Sequence, residues 1–155
     1  MKLTFIDFDG TLSVPNYKDK NGQMVMGFTD GSWKEYVKAT TPDTFFYCKP
    51  VMPVIRFAKS QKENGNKVYV LTAVSSTEEV SGKKKFIEDY CPDIFDDILW
   101  VFSSEDKLET IRSTAAKQGA KLTDCQLVED SFATLLYVMH YGVTPIHVAS
   151  LVCDL

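Results

Sequence analysis

The sequence predicts a doubly wound α/β fold, a five-stranded and mainly parallel sheet with helices on both faces. Two observations carry that expectation. Five short, near-continuous apolar runs alternate with stretches whose apolar residues recur at helical spacing. Polar and acidic residues then stand directly after several of the runs, where the strands of such a sheet open into a ligand crevice. The 155 residues suit a single domain spanning 1–155.

In chain order, Lys2 to Ile6 is the first strand, ending at Asp7. Val51, Val54, Ile55 and Ala58 form one helical face, with Pro53 near its start and Gly65 beyond its end. Lys67 to Leu71 is the second strand, ending at Thr72. A weaker helix follows around Phe86, Ile87 and Tyr90, interrupted by Gly82 and stopped by Pro92. Ile98 to Phe102 is the third strand. Leu108, Ile111 and Ala115 mark the next helix, with Gly119 as its stop. Cys125 to Val128 is the fourth strand, ending at Glu129 and Asp130. Phe132, Leu135, Leu136 and Met139 make a last helical face before Gly142. Pro145 to Ala149 is a short fifth strand, whose proline suits a sheet edge.

Ser13 to Lys49 breaks the alternation. It is far longer than an ordinary strand-to-helix loop, and it carries Tyr17, Phe28, Trp33, Tyr36, Phe45, Phe46 and Tyr47. Loops of this length usually serve as lids or binding loops, so residues 13–49 are read as a flap or small cap forming a substrate wall. The bland alternative is an insertion folded on its own aromatics.

Composition excludes several classes. With 45% hydrophobic residues and 12% aromatics the chain can bury a core, so it is not disordered. Its net charge of −4 argues against a broad electrostatic grip on nucleic acid. No apolar run approaches the roughly 20 residues of a membrane span. The opening run meets Asp7 too early for a signal peptide. Cys48, Cys91, Cys125 and Cys153 lie too far apart for a C-x-x-C zinc site, so a reduced, cytoplasmic protein without a membrane partner is expected.

The strand ends collect Asp7, Asp9, Thr72, Glu129 and Asp130. Acids converging on one crevice repel unless a cation joins them, and an all-oxygen set that keeps waters suits magnesium. Asp130, just before Ser131, could equally cap a helix. Lys107 follows Ser103, Ser104, Glu105 and Asp106 at a helix start, where the helix dipole disfavours a lysine unless an anion meets it. Lys83, Lys84 and Lys85 compete for that role, but a run of three reads as a solvated helix face.

Asp7-Phe8-Asp9-Gly10-Thr11-Leu12 after an apolar strand resembles the D-x-D-G-T-L signature of the haloacid dehalogenase (HAD) superfamily of phosphotransferases. Thr72 in Val-Tyr-Val-Leu-Thr is similar to that family's second motif, Lys107 to the third and Leu127-Val128-Glu129-Asp130-Ser131 to the acidic fourth. The resemblance covers the chain outside 13–49. It implies a sheet order of 5-4-1-2-3 and a minimal or near-capless phosphatase working through an aspartyl-phosphate. It further implies Asp7 as nucleophile, Asp9 as general acid and base, and Thr72 and Lys107 as groups holding phosphoryl charge. Magnesium would sit on the Asp7 carboxylate, the Asp9 backbone carbonyl and Asp130, with Glu129 reached through water. Gly10, Thr11, Thr72 and Trp33 are the expected substrate contacts.

The insertion has five lysines against four acids, several beside aromatics, which would suit a nucleotide or nucleic-acid end as substrate. A receiver-type signalling domain is a second reading, disfavoured because the third run ends Val101-Phe102-Ser103-Ser104 with no acid to accept phosphate. A third reading is a non-catalytic relative that binds a partner through its aromatic insertion. His140 and His147 are read as ordinary packed or surface residues.

Overall fold

The computed structural model describes residues 1–24 and 32–153. Phe28 lies outside the described residues. The strands are β1 (Leu3–Ile6), β2 (Ser13–Val14), β3 (Lys49–Pro50), β4 (Lys67–Ala73), β5 (Asp97–Val101), β6 (Cys125–Glu129) and β7 (Thr144–His147). The helices are α1 (Ser32–Thr40), α2 (Met52–Glu63), α3 (Thr77–Tyr90), α4 (Lys107–Lys117), α5 (Phe132–His140) and α6 (Val148–Val152). The main sheet runs β7-β6-β1-β4-β5 with every pair parallel. In the order of its five strands along the chain, that is the expected 5-4-1-2-3. The insertion adds a separate antiparallel pair, β2 with β3.

The pleat of β1 sorts the core into two layers. Leu3 and Phe5 point to one face, where Tyr69, Leu71, Leu127, Ile111 of α4 and Val138 of α5 close around them. Ile6 points to the other, with Val70, Val128, Val54 and Ala58 of α2 and Phe86 of α3. Successive strand side chains alternate faces, so a strand buried on both reads as an unbroken apolar run.

Some elements differ from the sequence reading. Helix α3 passes through Gly82 without a break, because a Cβ there would stand 3.1 Å from the Phe45 ring and the missing side chain lets the insertion pack down. Ser76 starts this helix by accepting a hydrogen bond from the Glu79 amide. The fifth strand ends at His147 rather than Ala149, since Val148 begins α6. On α5 the buried residues are Leu135 and Val138, whereas Phe132 and Leu136 are exposed. The apolar spacing thus marked the helix but misjudged the width of its covered face. Among the described residues no helix is long and apolar enough to cross a membrane, and all four cysteines are free.

Register brings the polar residues to one edge. Ile6 pairs with Val70 on one side and Val128 on the other, so Asp7 leaves the sheet beside the ends of β4 and β6. The Asp7 amide still donates to the Val128 carbonyl at 2.9 Å.

Candidate active site

Asp7 stands at the centre of that edge, almost wholly buried. Lys107 Nζ donates to Asp7 Oδ1 at 2.8 Å and to Glu129 Oε2 at 2.7 Å, joining β1, α4 and β6 through one ammonium. Ser103 caps the short turn before α4 by accepting from the Glu105 amide, which brings Lys107 in as the helix's first residue. Burial pushes the Asp7 pKa up to about 7. Lys107 opposes that rise, while Glu129 and Asp9 add to it. Glu129 is also raised by burial, against the pull of Lys107. The Lys107 ammonium is held above its ordinary pKa by its two carboxylates, although burial works the other way.

Carboxylate oxygens of Asp7, Glu129 and Asp130 lie within 4.8 Å of one another. Gly10 makes the close approach of Asp130 possible, since a Cβ at Gly10 would overlap the Asp130 carboxylate. Its φ of +75° is a left-handed conformation that glycine adopts without strain. The donor set is all oxygen, and the burial that keeps Asp7 partly protonated is the kind of penalty a divalent cation relieves. Asp7 and Asp130 therefore fit magnesium. Glu129 belongs to the same cluster and also serves Lys107. Oε2 accepts from Lys107 and Oε1 from the Asp130 and Ser131 amides, so both oxygens are already engaged. Glu129 is thus the counter-ion of Lys107, and a carboxylate with about four acceptor sites keeps room for the expected water-mediated contact to the metal.

The Asp9 carboxylate lies apart from the acid cluster. Its Oδ1 accepts from the Tyr17 hydroxyl at 2.8 Å and its Oδ2 from Lys83 Nζ at 2.7 Å. Thr72 is fully buried, and its hydroxyl also takes a 2.7 Å hydrogen bond from Lys83. The expectation of a solvated lysine run is corrected here. Lys84 is exposed, but Lys83 has no exposed surface and sits in the site. The signal was present in the sequence. Val80, Lys83 and Ile87 share one helical stripe, and Glu79 precedes Lys83 by one turn.

Thr11 is buried, with its hydroxyl unpartnered among the described residues. Trp33 donates from Nε1 to Glu79 Oε2 at 3.0 Å and packs on the Tyr17 ring. Asp9, Tyr17, Trp33, Ser75 and Phe102 line a cleft of about 480 Å³ at the sheet edge. The insertion aromatics also reach the core, where Phe45 meets Phe8 edge to face at 5.0 Å. Sequence reasoning missed Tyr17 as a site residue, and it missed His147. The His147 Nδ1 accepts from the Ala149 amide, which leaves Nε2 to donate to the Asp130 carbonyl at 3.0 Å.

No family model matches the sequence, and no curated protein sequence does. Solved structures do match in shape. A HAD-family enzyme from Bacteroides thetaiotaomicron has TM-score 0.61 and 14% identity, over 95% of this chain and 93% of its own. D,D-heptose 1,7-bisphosphate phosphatase from B. bronchiseptica, complexed with magnesium and phosphate, has TM-score 0.60 and 15% identity, over 94% and 79%. 3-Deoxy-D-manno-octulosonate 8-phosphate phosphatase from Moraxella catarrhalis, with magnesium, phosphate and KDO bound, has TM-score 0.55 and 19% identity, over 92% and 64%. Identities this low speak for architecture alone, and the architecture is consistent among them. The chain has the HAD fold, with Asp7 at the end of its central strand.

Proposed function

We propose that this protein is a magnesium-dependent phosphomonoester hydrolase working through an aspartyl-phosphate on Asp7. The observation that carries the reading is the buried Asp7 carboxylate, held by Lys107 and flanked by Glu129 and Asp130 where the HAD fold has its crevice. The magnesium-bound phosphatases of the same fold support the same ion here.

In the first half-reaction a carboxylate oxygen of Asp7 attacks phosphorus, and the bond to the leaving oxygen breaks. Asp9 gives that oxygen a proton. Water then attacks the phosphorus, Asp9 takes the water's proton, and the bond to Asp7 breaks to release phosphate. With a divalent cation offsetting the burial that raises its pKa, the Asp7 carboxylate would be ionised near neutral pH and need no base to serve as nucleophile. Lys107 fixes its orientation through Oδ1 and offsets charge shared by the nucleophile and the phosphoryl group. Thr72 and the backbone around Gly10 and Thr11 would hold phosphoryl oxygens. Asp7 and Asp130, with the Asp9 backbone carbonyl, would hold magnesium, which when bound neutralises charge on the phosphate and on Asp7.

For the substrate we favour a nucleotide or nucleic-acid end over a small sugar phosphate. Tyr17, Trp33 and Phe102 offer rings beside Asp9, and Lys18 stands 5.1 Å from the centre of the Tyr47 ring. Both are features that suit a base and its phosphates. A reducing, cytoplasmic setting agrees with four free cysteines. The test is a phosphomonoester panel assayed with and without magnesium, in the wild type and in Asp7→Asn. Metal-dependent release of phosphate that disappears in a folded Asp7→Asn protein is expected. Release that survives the substitution would overturn the covalent mechanism.

A further inference from the structure

Lys83 is a full charge without exposed surface, and a methionine could fill similar space with no charge to desolvate. Its surroundings explain the arrangement. Nζ donates to Asp9 Oδ2 at 2.7 Å, Thr72 Oγ1 at 2.7 Å and the Ala73 carbonyl at 3.1 Å, and Glu79 Oε1 pairs with it at 3.2 Å. The faces of Phe8 and Phe45 lie 5.0 and 5.7 Å from it. An ammonium has three protons, so these acceptors share them and the head is fixed from several directions.

Two consequences follow for groups next to the nucleophile. The Thr72 hydroxyl accepts from Lys83, so its own proton must point elsewhere. Its only acceptor among the described residues is the Ala73 carbonyl at 3.3 Å, a long bond that a phosphoryl oxygen could replace. The Asp9 carboxylate is pinned at both oxygens, one by Lys83 on α3 and the other by Tyr17 in the insertion. Glu79 completes the frame, accepting from Ser75 and Trp33 through Oε2 and forming an ion pair with Lys83 through Oε1.

We propose that Lys83 and Tyr17 are positioning residues that hold the Asp9 carboxylate in place for proton transfer to the leaving group, and that Lys83 also aims the Thr72 hydroxyl. This rests on the reading of Asp9 as the acid. The insertion thereby takes part in the chemistry through Tyr17 as well as forming a wall.

The test compares kcat and KM on p-nitrophenyl phosphate, whose leaving group needs little protonation, with those on an alkyl phosphate, which needs it fully. Positioned general acids contribute about 10²- to 10⁴-fold. Lys83→Met is expected to lower kcat on the alkyl phosphate by at least about 10²-fold, and on the aryl phosphate by only about tenfold. Tyr17→Phe keeps the charge balance and removes only the hydroxyl. It should cost about tenfold on the alkyl phosphate with KM little changed, and almost nothing on the aryl one. Exposed Lys84→Met serves as the control and should match wild type. Should Lys83→Met fail to fold, Tyr17→Phe carries the test alone. Equal losses on both substrates, or no loss in Tyr17→Phe, would overturn the proposal. Asp9→Asn separates the two levels. If it is itself indifferent to the leaving group, the reading of Asp9 as the acid fails. If it discriminates while the Lys83 and Tyr17 variants do not, the positioning roles alone fall.

Discussion

Asp7→Asn should abolish turnover and, without metal, make the protein more stable. An ordinary Asp titrates near 3.8, whereas burial holds Asp7 at about 7 in the fold. A carboxylate raised in this way favours the folded state fully below pH 3.8, and that contribution is lost as pH rises through about 7. At pH 8 the ionised, metal-free side chain therefore costs the fold on the order of 4 kcal/mol. That cost is already net of the opposing pull of Lys107, so the neutral amide should recover most of it. The gain is on the order of 4 kcal/mol, or roughly 8 to 16 °C in Tm for a chain of this size. Thermal melts of both proteins at pH 8 in a chelator should show it. The gap should shrink toward pH 4, and saturating magnesium should close it by stabilising only the wild type. An Asn variant less stable than wild type at pH 8 without metal would refute the charge argument, and turnover in that variant would refute the mechanism.

Other substitutions probe the rest of the site. Gly10→Ala places a methyl against the Asp130 carboxylate, so the magnesium concentration for half-maximal activity should rise, with a stability cost of about 1 to 2 kcal/mol from the left-handed backbone. Asp130→Ala should raise that concentration further, and a metal titration of activity reads both. Lys107→Ala leaves Asp7 and Glu129 facing each other unpaired, so turnover should collapse and unfolding by urea should show a loss of about 3 to 5 kcal/mol. Trp33→Ala should lower kcat/KM on nucleotides and oligonucleotide ends more than on sugar phosphates. A uniform effect, or preference for sugar phosphates, would defeat the substrate assignment.

Much of the site could be read in the sequence because its parts are local. Asp7 and Asp9 follow a strand directly, Gly10 sits where the chain must turn, and Glu129 with Asp130 ends another strand. Strand order then brings them together. Lys83 was harder, since a lysine triplet looks solvated until the phase of α3 is known, and Gly82 hid that phase by resembling a break. Phe45 gives Gly82 its purpose from 37 residues away in sequence, a contact that no local pattern encodes. The α5 face failed for a related reason. Apolar spacing records which residues could be buried, and packing against β6 and β7 covers only part of that stripe. Tyr17 and His147 act through hydrogen bonds fixed by tertiary placement, which their neighbours in the chain do not announce.

The hydrogen bond from the Asp7 amide to the Val128 carbonyl divides the site by mechanical stiffness. Asp7, the proposed nucleophile, hangs from the middle strand of the sheet, so its amide should exchange hydrogen only when the whole domain opens. Asp9, the proposed proton donor, is steadied by Tyr17, whose insertion is closed by the two-residue strands β2 and β3 and packed on the core through Phe45. On the proposed mechanism, bond formation to phosphorus is anchored in the central strand, while departure of the leaving group is steadied in part from the insertion. Replacing that segment would change which alcohols can depart while leaving the attack itself intact.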